Sequence, residues 1–192
     1  MAHSRWLSNV ASTPVYLKAE NLQRAGSFKI RGAYVRIARL TDEERAHGVV
    51  AASAGNHAQG VALAASMLGI KSTIFMPEGA ALPKVSATEG YGADIRFHGS
   101  GVTEALVPAR EFAERTGAVL IHPFDHEDIV AGQGTVGLEI LEQCPDVKTI
   151  LVPVGGGGLA AGIALLRSER PDLRIVGVQA EEAAAYPDSL VA

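Results

Sequence analysis

The chain has 192 residues, 47% hydrophobic and 20% charged, which suits a globular protein with a core in one domain or two small lobes. A net charge of −4 and a pI near 5.9 argue against a nucleic-acid partner held through phosphates. No apolar run approaches the length needed to cross a bilayer. Cys144 is the single cysteine, so an internal disulfide and a thiolate metal cluster are both excluded. The opening residues lack the apolar stretch of a secretory signal, and a cytoplasmic location is expected.

In chain order, short β-branched or apolar runs alternate with glycine-punctuated, alanine-rich helical stretches, the pattern of an α/β fold with mainly parallel sheets. Strands are expected over 15–18, 49–52, 72–76, 94–97, 119–121, 149–154 and 174–179. Helices are expected after Lys29, Asn56, Pro83, Thr103, Gly132 and Gly158. No internal repeat or low-complexity linker is visible. A division into lobes must therefore cross loops, expected near 41–48 and 122–129.

Three segments carry chemistry. The first, Gly26-Ser-Phe-Lys-Ile-Arg-Gly32, places Lys29 just inside a helix whose apolar positions are Ile30, Ala33, Tyr34 and Ile37. Ser27 is positioned to cap it. The positive end of the helix dipole and partial burial both favour a neutral amine, and a neutral amine attacks aldehydes. On its own, the same residue reads more readily as a merely solvated lysine; its company decides.

The second segment, Ser53-Ala54-Gly55-Asn56-His57, follows a strand and opens a helix with Val61, Ala62, Ala65 and Leu68 on its apolar positions. Free backbone N–H groups at such a start suit a carboxylate or phosphate. Two readings stay open for Asn56, a ligand contact and a helix cap. In the third segment a strand runs into Gly155, Gly156, Gly157, Gly158 and Leu159. Four residues without Cβ let the backbone close around an anion. The lysine and hydroxyl residue of a nucleoside-triphosphate loop are missing, and Gln179 or Glu181 matches only loosely the acidic residue of a dinucleotide fingerprint. Tight helix packing is the alternative reading of these glycines. His122, Asp125, His126 and Asp128 suggest a metal site, but their crowding fits a polar loop better, and no metal is expected.

Taken together, the three segments resemble the fold-type II pyridoxal-phosphate enzymes, and among them the threonine ammonia-lyases, or threonine dehydratases. Tyr16-Leu-Lys-Ala-Glu-Asn-Leu-Gln23 and the stretch from His122-Pro-Phe-Asp to Gly132-Gln-Gly-Thr135 extend the resemblance over nearly the whole chain. The resemblance implies pyridoxal 5'-phosphate held covalently by Lys29, which later acts as the base at the substrate Cα. It implies Phe28 packed on the cofactor ring and Asn56 bonded to its hydroxyl. It also implies the phosphate on Gly155 to Leu159, and the substrate carboxylate on Ser53, Ala54, Gly55, Asn56 and His57. The implied reaction is β-elimination and deamination of L-threonine to 2-oxobutanoate and ammonia, with L-serine (to pyruvate) or hydroxyaspartate as alternative substrates. A two-lobed tryptophan-synthase-β-like fold follows, with residues 1–48 and 122–192 as a partial large lobe, residues 49–121 as a small lobe inserted between them, and the cofactor in the cleft. The implied partner is an amino-acid substrate, with no nucleic acid and no membrane. A homo-oligomer is implied, in amino-acid metabolism that includes isoleucine biosynthesis.

Three departures from the family pattern shape these expectations. Ala54 stands where related serine racemases carry a second serine, which favours elimination over racemisation. The divalent-cation positions of some relatives fall at Gln179, Ala183 and Ala185, none of them a carboxylate, although Glu181 and Glu182 lie close. The chain ends at Ala192, before the C-terminal portion that completes the family's large lobe and supplies the partner of the pyridine nitrogen. A shortened chain with unpaired sheet edges, no regulatory domain and an incomplete or assembly-only role is therefore the non-catalytic alternative.

Overall fold

The computed structural model describes residues 1–184 and 186–189. The chain opens with strand β1 (Ala2–His3), helix α1 (Arg5–Ala11) and strand β2 (Tyr16–Leu17). β1 and β2 form an antiparallel ribbon with Ala2 opposite Leu17. The expected strand at 15–18 is thus present but has a partner too short to show a period-2 pattern.

Helix α2 (Lys29–Ala38) is followed by α3 (Asp42–His47), which occupies a segment expected to be a boundary loop. Its start is a reciprocal cap: Thr41 Oγ1 accepts from the Glu44 N–H, and Glu44 Oε2 accepts from the Thr41 N–H. The middle of the chain runs β3 (Val49–Ala52), α4 (Asn56–Met67), β4 (Ser72–Met76), α5 (Leu82–Gly90), β5 (Asp94–Phe97), α6 (Val102–Thr116) and β6 (Val119–Leu120). These strands form one parallel sheet in the order β5-β4-β3-β6. All four residues of β3 are buried, as required of a central parallel strand covered on both faces. On one face Val49, Ala51 and Ile74 pack with Ile30, Ala33 and Ile37 of α2 and Val61 and Ala65 of α4. On the other, Val50, Ala52 and Phe75 pack against Ala105 and Ala109 of α6.

Helix α7 (Glu127–Gln143) starts five residues before Gly132, where the sequence suggested the helix would begin. His126 caps it, its Nδ1 accepting from the Asp128 N–H. Strand β7 (Thr149–Pro153), helix α8 (Gly158–Ala164) and strand β8 (Arg174–Val178) follow, then a short helix α9 (Tyr186–Ser189). β7 and β8 pair in parallel, and among the described residues they form a separate two-stranded sheet. One face, with Ile150 and Val152, buries against Val136, Ile140, Leu159 and Ile163. The opposite face leaves Leu151 and Val178 exposed.

The helices between the two sheets touch backbone to backbone. A Cβ on Gly132 of α7 would lie 2.6 Å from both the Arg31 carbonyl oxygen and the Gly32 Cα of α2. One on Gly134 would lie 2.9 Å from the Gly162 carbonyl oxygen of α8. Gly132→Ala is therefore predicted to destabilise the chain by about 1–3 kcal/mol, since backbone atoms cannot swing aside as a side chain can. Gly90→Ala, where a Cβ would meet nothing within 4 Å, should be neutral or slightly stabilising. Urea-unfolding midpoints of the two variants check this.

Candidate active site

The start of α2 sets the position of the amine. Ser27 Oγ accepts from the Lys29 N–H at 3.3 Å. Phe28 already has helical φ and ψ (−61°, −15°), so Ser27 stands at the cap and its side chain bonds the second helical residue. Lys29 Nζ donates to the Pro123 carbonyl at 2.6 Å and lies 5.4 Å from the centre of the Phe28 ring. Burial pushes the amine below its ordinary value of 10.5, because leaving water disfavours the charged form.

A cavity of about 380 Å³ is lined by Lys29 and Phe28, by Gly155, Gly156, Gly157, Gly158 and Leu159, and by Phe124 and Gln179 among others. Two of the three sequence segments therefore meet in one cavity. Gly157 has φ +90°, a conformation that a side chain would strain. A Cβ on Gly155 would meet nothing within 4 Å, whereas one on Gly156 would run into the Phe124 ring. The loop is thus open at Gly155 and closed against Phe124 at Gly156. The first N–H groups of α8 have no partner within the helix, which leaves donors for an anion.

The turn that carries Pro123 is itself pinned. His57 Nε2 lies 2.8 Å from the Ile121 carbonyl oxygen. His122 Nδ1 accepts from the N–H groups of Phe124 (3.3 Å) and Asp125 (2.8 Å). His57 is buried, and this burial pushes it down to about 4. It is therefore neutral at pH 7, and its proton sits on Nε2, because a carbonyl can only accept. His57 serves the Pro123 turn through this bond.

Of the two readings left open for Asn56, the helix cap is not the arrangement found. The cap position falls on Gly55, with no side-chain bond, and the Asn56 carboxamide oxygen accepts from Lys84 Nζ at 2.8 Å. Ser53 Oγ accepts from the Gly55 N–H at 3.1 Å, which shapes the turn around Ala54. Ser53, Ala54, Gly55, Asn56 and His57 do not line the cavity of Lys29. They are tied to it one helical turn on, where a Cβ on Gly60 would lie 3.0 Å from the Lys29 carbonyl carbon.

The residues of the metal reading have other work. Asp128 is buried and paired with Arg39 at 2.6 Å and Arg36 at 3.6 Å, while His122 and His126 serve as backbone acceptors. Among the described residues no three His, Cys, Asp or Glu side chains gather as a metal site. Gln179 Nε2 donates to the Val154 carbonyl at 3.1 Å and lies 3.4 Å from that of Ala183. Ala185 lies outside the described residues. Pro123 and Phe124 went unassigned in the sequence: a carbonyl contact leaves no residue-type signal, and only the His122-Pro-Phe-Asp resemblance pointed to this turn.

A family model described as pyridoxal-phosphate dependent enzyme matches residues 1–192. The chain is 53% identical over 182 residues to an L-threonine ammonia-lyase of Thermotoga maritima, covering 94% of this chain and 45% of that protein. It is 50% identical over 188 residues to a catabolic L-threonine dehydratase of Staphylococcus aureus, covering 97% and 54%. Among solved structures, the processed form of threonine deaminase isoform 2 from Solanum lycopersicum superposes with a TM-score of 0.96 at 41% identity, covering 100% of this chain and 53% of that one. Maize serine racemase superposes with a TM-score of 0.95 at 39% identity, covering 98% and 58%. The chain spans about half the length of the curated relatives it matches.

Burial of the amine carries a stability cost with a defined pH dependence. The folded-state value lies below the unfolded one near 10.5. Between the two the unfolded chain binds more protons, and stability rises with pH. Lys29→Met is predicted to be at least as stable as the wild type at pH 7, and its advantage should shrink as the pH approaches 10.5. Thermal unfolding of both proteins across that range measures the difference. For His57, pushed down to about 4, the same linkage removes stability as the pH falls from 6.5 towards 4, and His57→Gln should lose this dependence.

Proposed function

The chain belongs to the family of pyridoxal-phosphate dependent enzymes, and from that premise we propose that it carries the cofactor-binding half of an L-threonine ammonia-lyase. The observation that carries this reading is that the desolvated amine of Lys29 and the glycine loop line one cavity.

The residues present fit the cofactor. Lys29 supplies an amine whose neutral form is favoured and whose Nζ is already held inside the cavity. Phe28 offers an apolar face. The N–H groups of Gly155, Gly156, Gly157, Gly158 and Leu159 are the donors proposed for the phosphate, and Gly155 leaves room for it. Asn56 is proposed to meet the ring hydroxyl, and the turn from Ser53 to His57 the substrate carboxylate. When bound, pyridoxal phosphate supplies an electron sink for the pair left at the substrate Cα.

The protein's own work is positional and protonic. The low basicity of Lys29 keeps a fraction of its amine able to take the Cα proton at neutral pH. The Pro123 carbonyl holds Nζ when it is not otherwise engaged. Phe28, Phe124 and Leu159 give the cavity part of an apolar lining. Ala54 offers no acid or base on the opposite side, which favours loss of the β-hydroxyl and hydrolysis to a 2-oxo acid and ammonia over racemisation.

The two-lobe division at 48 and 121, a homo-oligomeric assembly and a cytoplasmic location belong to the same proposal. Among the described residues no helix is long and apolar enough to cross a membrane.

Adding pyridoxal phosphate to the purified chain should give a visible absorption band that Lys29→Ala lacks. L-threonine should alter the band and yield 2-oxobutanoate. Faster pyruvate formation from L-serine would shift the substrate assignment to serine. A stable band without product would make this chain a cofactor-binding unit only. Absence of a Lys29-dependent band in folded protein would refute the cofactor assignment.

A further inference from the structure

Lys84, in the first turn of α5, reaches across to the first residue of α4 and donates from Nζ to Asn56 Oδ1 at 2.8 Å. Among the described residues it has no carboxylate partner. An ammonium carries donors only, so it can hold only the oxygen end of a carboxamide. The two flip states of an asparagine amide are nearly equal in shape, but only one of them suits this neighbour. With Oδ1 on Lys84, the two N–H donors of Nδ2 are turned to the other side of the side chain. One helical turn on, Gly60 lies against the Lys29 backbone, so α4 carries Asn56 one turn away from its contact with the start of α2.

We propose that Lys84 is a positioning residue: by holding Oδ1 it presents Asn56 Nδ2 as a donor to an anionic oxygen beside Lys29, the ionised ring hydroxyl of the cofactor. This inference rests on the reading of Asn56 as a cofactor contact. An ionised hydroxyl accepts hydrogen bonds and cannot donate, so an amide presenting its oxygen would repel it. Without the ammonium, Asn56 samples both orientations and only part of the population is competent to bind.

The test is the dissociation constant for pyridoxal phosphate, measured by equilibrium dialysis on the whole chain for Lys84→Met, Lys84→Arg, Asn56→Ala and the Lys84→Met/Asn56→Ala double variant. Circular dichroism accompanies each measurement to establish that the variant is folded. Lys84→Met is expected to weaken binding roughly three- to tenfold, the scale of one partly exposed hydrogen bond. Lys84→Arg, which keeps the donors, should recover most of the loss. In the Asn56→Ala background Lys84→Met should add nothing, because its effect passes through the amide. Wild-type affinity in Lys84→Met, or an undiminished loss from Lys84→Met when Asn56 is already alanine, overturns the inference while leaving Asn56 as a contact. Wild-type affinity in Asn56→Ala overturns the reading of Asn56 itself, and the role of Lys84 with it.

Discussion

The arrangement depends on how closely the backbone of α2 is approached from two sides. Gly60 brings α4 against the carbonyl of Lys29, and Gly132 brings α7 against Arg31 and Gly32. A side chain at Gly60 would require the helices to give by a few tenths of an ångström, and one at Gly132 by more, and the amine would move with the first turn of α2. Burial takes the Lys29 amine itself out of water, which lowers its proton affinity. Packing that looks purely structural therefore sets the chemistry of one nitrogen, and the stability lost in burying that nitrogen is characteristic of a functional site.

Charge on the far side of α2 reinforces this placement. Arg31, two residues after Lys29, pairs with Glu20 Oε2 at 2.8 Å and Glu139 Oε1 at 2.6 Å, and Lys18 also reaches Glu139. The Arg31 guanidinium and the Lys18 ammonium pull Glu139 down to about 2. The N-terminal segment, α2 and α7 are thus joined by one set of charges on the face away from the cavity. Near the other end of α2, Arg36 and Arg39 grip the buried Asp128 at the start of α7. With both ends tied to α7, α2 can neither slide nor rotate without breaking a charge pair.

Much of this was legible in the sequence for identifiable reasons. The strands at 49–52, 72–76 and 94–97 were read to the residue, because β-branched runs bounded by glycine and polar residues leave little choice. Helix α3 was missed although Thr41 and Glu44 have capping-box spacing; six residues, five of them polar, with no apolar stripe looked like a loop. The start of α7 was placed late because His122, Asp125, His126 and Asp128 read as a polar loop, whereas Asp128 already belongs to the helix and His126 caps it. At the site, Lys29 and the glycine loop stood out by residue type. Their shared contacts with the Pro123 turn did not, since backbone carbonyls and a ring 94 residues or so along the chain carry no local pattern. The Asn56–Lys84 bond spans 28 residues and was equally invisible to an argument from helix caps.

The central claim is that packing singles out one lysine of five, Lys29, from Lys18, Lys71, Lys84 and Lys148. Incubation of the folded chain with one equivalent of pyridoxal phosphate at pH 7, borohydride reduction and peptide mass mapping tests it most directly. The account predicts that the phosphopyridoxyl mass falls predominantly on Lys29, with little on the other four lysines. Label spread evenly over the lysines, or concentrated on one other than Lys29, would contradict it.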